Sequence, residues 1–379
     1  MSESDERAWQ ERLGLEAAVD LPGFYTFPRP EPGFSTLSAS PEALARYGVP
    51  PRPDADANPV AFRRWHGLYG RITEFVDPQL KARPRLRHST LVGASETLEE
   101  GTSTTGNWAG HVLVAAKGHT FTGVGGMWVV PSASQPHGGP FAGGEKIGST
   151  FLGDINRWES SAWVGIDGAD TIDGVTSKEI FQAGTEHDLF EFEGFGADTW
   201  KAVRYMWTEW YPQPGAIVGG VSVSPGDLVS VEMRILQRLP NVSVGTASLL
   251  NLTSGAFAPV FMFGPGTVNP KGPSFIGDSA EWIVETPQIG MSGTSPLLSE
   301  LPYLGIVSFF ESFAADSTGA SVSGATGTTT TDVSPNLYYL SMENSFDGPD
   351  RTGTGTGVVV AKHVEKAFGV QTLPLVLEG

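Results

Sequence analysis

The sequence predicts an all-β protein: a sandwich of two sheets, preceded by a mostly irregular, partly helical extension of about a hundred residues. Three observations lead there. The 379 residues include 48 Gly and 28 Pro, with 17% charged and 40% hydrophobic residues, which is the composition of a turn-rich β protein. The segment DLVSVEMRI (Asp227 to Ile235) alternates with period two: Val229, Val231, Met233 and Ile235 fall on one side and Leu228, Ser230, Glu232 and Arg234 on the other. Further strand-like runs, GMWVVPSAS, YMWTEWYP, APVFMFGPG and TGVVVAK, lie between Gly, Pro and Ser breaks.

The elements follow in order. The first twenty residues, MSESDERAWQERLGLEAAVD, carry acids from residue 3 and no apolar run, so they do not read as a signal peptide. No window approaches the roughly 18 apolar residues of a membrane span. Ser40 before Pro41 reads as an N-cap and first helical position, with Gly48 as the stop. Asn58, Pro59 and Gly70 repeat the device, and GVPPRPD between the two helices reads as an extended linker. From Arg63 to His88 the chain is basic, through Arg63, Arg64, Arg71, Lys81, Arg83, Arg85 and Arg87. ETLEEGTSTTG (Glu96 to Gly106) reads as an exposed, flexible connection. Residues 1–100 are therefore expected to form the extension, a candidate pro-segment, and residues 101–379 the sandwich. Helical patterns are scarce beyond Asn107; KHVEKAFG near the C-terminus is the exception.

Charge and composition exclude several functions. The net charge of −18 and pI of about 4.7 argue against nucleic acid as a partner. They fit work in mildly acidic surroundings, where protonation relieves self-repulsion, and equally an acidic soluble surface with no further meaning. With no cysteine, a disulfide, a thiolate metal site and a cysteine nucleophile are impossible. There is no G-x-S-x-G, no H-E-x-x-H, and no D-T-G or D-S-G. GGEKIGST (Gly143 to Thr150) has Lys146 in the wrong place for a phosphate loop and reads as a glycine-rich loop. His111 and His187 read as surface or structural residues. Asn241 and Asn251 begin N-x-S/T sequons, but glycosylation is not expected without a signal peptide. Neither a metal nor a cofactor is expected.

What remains lies in SAWVGIDG (Ser161 to Gly168), IFQAG (Ile180 to Gly184) and AEWIVE (Ala280 to Glu285). Read as strands, they place Trp163 with Asp167 on one face, Gln182 with Ile180, Gly184 and Glu186, and Glu281 with Ile283 and Glu285. Such polar faces suit a cleft. A carboxylate there can take a proton from water and return it to a leaving amine, while a glutamine amide donates to the oxyanion. The same residue types also occur on strands of β proteins without any catalytic role.

NWAG (Asn107 to Gly110), WVVPSAS (Trp128 to Ser134), AWVGIDG, FQAG, WTEWYP (Trp207 to Pro212), NLTSG (Asn251 to Gly255) and AEWIVE occur in that order. Together they strongly resemble the glutamic peptidases, or eqolisins, a family of pepstatin-insensitive acid proteases. The resemblance runs from about Asn107 to at least Phe310. It implies a concanavalin A-like sandwich of two seven-stranded sheets, and an acid endopeptidase that uses no metal or cofactor. The family's catalytic glutamine falls on Gln182 and its catalytic glutamate on Glu285, not Glu281. Its cleft residues match Trp108, Trp163, Asp167, Glu209 and Tyr211, with Glu186 in place of an aspartate. Polypeptides are the implied substrates, without nucleic-acid or membrane partners, and a monomer is expected. Secretion is implied by the resemblance alone, and the compartment stays open.

The sequence departs from the family's secreted members in having no cysteine for disulfides, and its first twenty residues are not expected to act as a signal peptide. It adds a glycine-rich insertion from Gln135 to about Glu159, suited to shape or cover the cleft, and a second from about His187 to Trp200. Two other functions fit the same architecture. A glycoside hydrolase needs two carboxylates; Glu281 and Glu285 lie roughly 13 Å apart along one strand, beyond the ~5–9.5 Å that such enzymes use, while a Glu209–Glu285 pair stays open. A non-catalytic carbohydrate- or peptide-binding sandwich would use Trp163 and Trp210 as stacking platforms. For the basic arm, one reading is a structural extension. The other is a restraint lying against the acidic body near the cleft, loosened when Glu186 or Glu209 is protonated and released by cleavage between Glu96 and Gly106.

Overall fold

The structure, a computed structural model, describes residues 3–83, 95–96, 102–134, 145–150, 153–169, 172, 175–192, 199–239, 242–265, 275–292, 295–299, 301–318, 321–323, 336–345, 356–364 and 367–372. The extension holds α1 (Glu3–Leu13), β1 (Glu16–Ala17), β2 (Phe24–Thr26), α2 (Pro41–Arg46), α3 (Pro59–Tyr69), β3 (Glu74–Phe75), β4 (Gln79–Ala82) and β5 (Ser95–Glu96). Then come β6 (Thr102–Thr105), β7 (Trp108–Val114), β8 (Phe121–Val129), β9 (Glu145–Thr150), β10 (Gly153–Trp158), β11 (Ser161–Ile166), β12 (Ile180–Phe192) and β13 (Thr199–Tyr211). They are followed by β14 (Ala216–Gly219), β15 (Leu228–Leu239), β16 (Val242–Asn251), β17 (Ala256–Phe263) and β18 (Ser279–Glu285). The last are β19 (Gln288–Ser292), β20 (Ser295–Leu298), β21 (Ile306–Asp316), β22 (Ser321–Ser323), β23 (Asn336–Ser345), β24 (Thr356–Val364) and β25 (Ala367–Thr372).

The strands form the expected two-layered sandwich. The front layer runs β4–β14–β13–β12–β11–β18–β7–β23, antiparallel at every step. The back layer runs β25–β21–β8–β15–β16–β17–β2–β1, also antiparallel. β24 joins the layers along one side by pairing with both β23 and β25. The alternation read from the sequence explains the core. Ala162, Val164, Ala183, Trp282 and Val284 of the front layer and Val124, Val229, Val231, Met233 and Leu249 of the back layer belong to one buried cluster. Two indoles tie the layers together: Trp128 Nε1 donates to Thr185 Oγ1 at 2.8 Å, and Trp282 Nε1 to the Gly125 carbonyl at 2.9 Å.

The two extension helices predicted from their caps are present. The Ala43 N–H donates to Ser40 Oγ at 3.3 Å, and the Ala61 N–H to Asn58 Oδ1 at 3.1 Å. Gly48 ends the first with φ +66°, and a Cβ there would stand 2.4 Å from Pro259 Cβ, so only glycine fits. Both helices pack against the outer side of the back layer: Leu44, Val49, Trp65, Leu68 and Tyr69 cluster with Leu250, Leu252 and Phe257. Leu13, Leu15, Tyr25 and Phe27 do the same against Val244, Phe261 and Phe263. The extension thus supplies apolar cover to one layer and, through β4, an edge strand to the other.

Three expectations are corrected. KHVEKAFG is not helical: Lys362–Val364 close β24 and Ala367–Gly369 open β25, because the β-branched run Val358–Val360 commits the chain to a ladder. GGEKIGST is not a loop over its described part, since Glu145–Thr150 form β9, which pairs with β10; β10 in turn lengthens the layer by pairing with the far end of β12. In the presumed connection, Thr102–Thr105 form β6, parallel to β23, and Thr105 is buried. Residues 97–101 and 135–144 lie outside the described residues.

Candidate active site

The front layer presents its outer face as three cross-strand rows. Ser161 of β11 stands between Glu186 of β12 and Glu285 of β18. Trp163 stands between Gly184 and Ile283, and Gly165 between Gln182 and Glu281. The rows continue into β13 with Tyr205, Trp207 and Glu209, opposite Glu186, Gly184 and Gln182. Trp108 of β7 extends the first row beside Glu285. The catalytic and cleft residues carried over from the resemblance therefore lie on or at the end of one face, as the period-two reading requires. Gln182 and Glu285 sit two strands apart and in different rows, with the Trp163 row between them.

The middle row depends on glycine. A Cβ on Gly184 would stand 2.2 Å from the Ala162 carbonyl oxygen and 2.6 Å from Trp163 Cβ. Its absence leaves room for Trp163, which with Trp207, the other neighbour of Gly184 in this row, belongs to one buried cluster between the rows of Gln182 and Glu186. Trp163 packs edge-on against Trp108, with centroids 4.9 Å apart at 78°.

Hydrogen bonds fix the polar groups. Trp163 Nε1 donates to Glu285 Oε2 at 2.8 Å. Gln182 Nε2 donates to Glu209 Oε2 at 3.0 Å, and Thr208 Oγ1 to the Gln182 carbonyl at 3.1 Å. Gln182, Glu186, Glu281 and Glu285 are each 0% exposed. For Glu186 and Glu281, burial disfavours the ionised form. Burial pushes Glu186 up to about 7 although Arg83 opposes it, and pushes Glu281 well above the usual range, with Asp167 and Asp278 adding to the effect.

Asp167 is occupied by its own backbone surroundings. It follows β11 with φ +74° and accepts from the amides of Ile276, Gly277 and Asp278 at 2.9, 2.7 and 3.0 Å. Asp278 in turn accepts from the Thr176 and Ser177 amides at 2.7 and 3.2 Å. The two carboxyls knit the loops before β12 and β18 together at the Gln182 end of the face. Burial, then Asp278, push Asp167 up to about 7, against its backbone donors. Tyr211 lies opposite Ile180 and packs half-buried at the rim of the same aromatic cluster.

Trp210 does not belong to this face. It points between the layers, 4.3 Å from Phe181 by ring centroid, and donates from Nε1 to Glu179 Oε2 at 3.1 Å. The stacking platform expected of it is therefore absent. Conversely, the sequence reading did not single out Arg83 as part of the site. Its amide donates to the Gly215 carbonyl at 2.9 Å, just past the β4–β14 pairing. Its Nη2 lies 3.1 Å from Glu186 Oε2, and its guanidinium carbon lies 5.2 Å from the Trp207 ring and 5.3 Å from the Tyr205 ring. The signal was one arginine among seven basic residues, and only the non-local pairing of β4 distinguishes it.

The chain is 34% identical over 149 residues to scytalidopepsin B of Scytalidium lignicola, a match covering 39% of this chain and 41% of that protein. It thus spans about two-fifths of the length of that curated relative. Among solved structures it is similar to scytalido-glutamic peptidase bound to a transition state analog inhibitor (TM-score 0.44, 21% identity, 71% of this chain and 98% of the other). It is also similar to aspergilloglutamic peptidase from Aspergillus niger (TM-score 0.35, 23% identity, 57% of this chain and 99% of the other). The profile of the Peptidase A4 family matches residues 106–348, a span that takes in every strand of the polar face except β4. By that match over more than half of its length, the chain belongs to the Peptidase A4 family.

Proposed function

We propose that the chain is an acid endopeptidase in which Glu285 activates water and Gln182 stabilises the tetrahedral oxyanion. The observation that carries this is the pairing of two fixed groups on one buried face: Glu285 held by Trp163 Nε1, and the Gln182 amide held by Glu209. Glu285 takes a proton from water as the oxygen bonds to the scissile carbonyl carbon. The carbonyl oxygen becomes an oxyanion and accepts from the second Nε2–H of Gln182, the first being committed to Glu209. When the C–N bond breaks, Glu285 returns the proton to the departing amine. Trp108, Trp163, Glu186, Glu209 and Tyr211 line the substrate's path, and Asp167 holds the loops that frame Gln182. Polypeptides are the substrates.

The test is hydrolysis of unfolded protein between pH 3 and 7, with polysaccharide as the rival substrate and pepstatin and a chelator present. Cleavage of protein alone, in the presence of both, is expected. Glu285→Gln and Gln182→Ala should each lower kcat by about 100-fold or more while the protein stays folded. Near wild-type hydrolysis by Glu285→Gln would end the assignment.

A further inference from the structure

We propose that the recess formed by Glu186, Asp188, Tyr205 and Trp207 is a substrate subsite for a cationic side chain, and that Arg83 sits in it as an intramolecular stand-in. The inference rests on the peptidase reading and adds a substrate class to it.

Four features of the recess favour a cation. Glu186 receives the Arg83 guanidinium at 3.1 Å, and both side chains are almost completely buried, at 0% and 2% exposure. Asp188, two residues on along the same face of β12, places a second buried carboxyl beside the first. Tyr205 and Trp207 offer ring faces at 5.3 and 5.2 Å, within the range over which aromatic rings attract cations. Glu209, opposite Gln182, also attracts Arg83. Burial and the neighbouring Glu186 push Asp188 well above the usual carboxylate range, so it stands beside the charged Glu186 as a neutral carboxyl whose oxygens can still accept from a cation. As stability, a buried pair of this kind is worth little, because desolvating both charges offsets their attraction.

The recess is also well placed. Glu186 shares a cross-strand row with Ser161 and Glu285, so it lies two strands, about 10 Å, from the proposed general base. An extended peptide covers that distance in about three residues. The bound cation would therefore belong to a residue within about three positions of the scissile bond. Arg83 arrives from the end of an edge strand and is held by the Gly215 carbonyl, so its side chain can leave without dismantling the layer.

The charge state of the recess links preference to pH. Glu186 faces Arg83, Asp188 and Tyr205, with Arg157 and Glu159 approaching from the β10 side and Ser161 from β11. Burial raises Glu186 to about 7 and Arg83 pulls it down. Below that pH the recess loses charge, so it holds Arg83 less firmly and discriminates less between substrates.

The experiment maps cleavage sites on unfolded protein by mass spectrometry, using the full chain, Glu186→Gln and Arg83→Ala. Arg or Lys should be enriched about 10-fold at one fixed position near the scissile bond at pH 7, and less at pH 5, with the enrichment lost in Glu186→Gln. Arg83→Ala should lower KM for a peptide carrying that basic residue by about 10-fold and leave kcat within about 3-fold; Arg83→Gln replaces it should the alanine variant unfold. Calorimetric binding of N-acetylarginine methylamide to Arg83→Ala, absent from Arg83→Ala/Glu186→Gln, tests the recess without any turnover. Failure of hydrolysis in every protein, with this binding intact, would sink the peptidase reading and not the subsite. Absence of basic enrichment, a fall in kcat for Arg83→Ala, or binding unaffected by Glu186→Gln would each overturn the subsite and leave Arg83 a fixed wall.

Discussion

Trp163 faces Ile283 across the β11–β18 ladder, yet its indole N–H reaches diagonally to Glu285, two residues further along, at 2.8 Å. The bond can form because Gly165 has no side chain: a Cβ there would stand 2.8 Å from the Trp163 ring. The orientation of the proposed general base therefore depends on a glycine in another row.

Trp163→Phe keeps most of the ring and deletes the donor. A hydrogen bond to a charged group contributes about 1.5–3 kcal/mol, so kcat should fall roughly 10- to 100-fold. Steady-state kinetics on a peptide substrate, with the melting temperature as control, measure this. An unchanged kcat would mean that the bond does not position Glu285.

Gly184→Ala should be far more damaging than its size suggests. The added methyl meets the Ala162 carbonyl oxygen at 2.2 Å, and backbone cannot step aside cheaply. A loss of at least about 2 kcal/mol is expected by denaturant unfolding, beyond the usual cost of an extra methyl in a strand. Full stability in this variant would show that β11 and β12 separate more easily than their ladder implies.

The protein should gain stability as pH falls from about 7 to about 5. Asp167 and Glu186 are raised to about 7 and Glu179 to about 9, chiefly by burial. Each favours its protonated form when folded. Its contribution is complete below the unfolded carboxylate pKa of about 4 and is lost as pH rises through the folded value. Each contributes about 1.4 kcal/mol per pH unit inside its window. His187, lowered to about 3 by burial, works the other way below about 6.5, but it is one group against three. Melting temperatures across pH 4 to 8 measure the net slope, and a maximum near pH 8 would contradict it.

A chain beginning at Thr102 should be unstable. It would lose β4 and uncover Leu250, Phe257, Phe261 and Phe263, which the extension now buries. Each large apolar side chain returned to water costs roughly 1.5–3 kcal/mol, so the total approaches the whole stability of a domain. Aggregation or a molten state is expected by near-ultraviolet circular dichroism. A well-folded truncated chain would contradict this and favour a removable pro-segment.

The legible features of the sequence were those with a local cause. Ser40–Pro41 and Asn58–Pro59 announce helices because capping needs only residues within one turn. The faces of β11, β12 and β18 were readable because side chains alternate strictly along a strand. KHVEKAFG misled because its local propensity is helical while Val358–Val360 and the β25 ladder decide the outcome. α1 was overlooked, although Trp9 and Leu13 stand four apart and pack into the cluster around Phe261. Arg83 was not legible as a site residue. Nothing near it in sequence says that β4 joins β14, more than a hundred residues away, and so points one arginine of many at Glu186.

The proposed peptidase activity would make the chain a candidate for its own digestion, and the two indole bonds between the layers bear on that. Thr185, which receives Trp128, lies between Gly184 and Glu186, and Trp282, which grips Gly125, lies between Glu281 and Ile283. The strands that would do the cutting are thereby fastened to the strands behind them. Local fraying of the polar face would break these bonds and expose the shared core. Loss of the cutting face and loss of the whole fold should therefore coincide. Few molecules in a working population would then be at once unfolded enough to be cut and intact enough to cut.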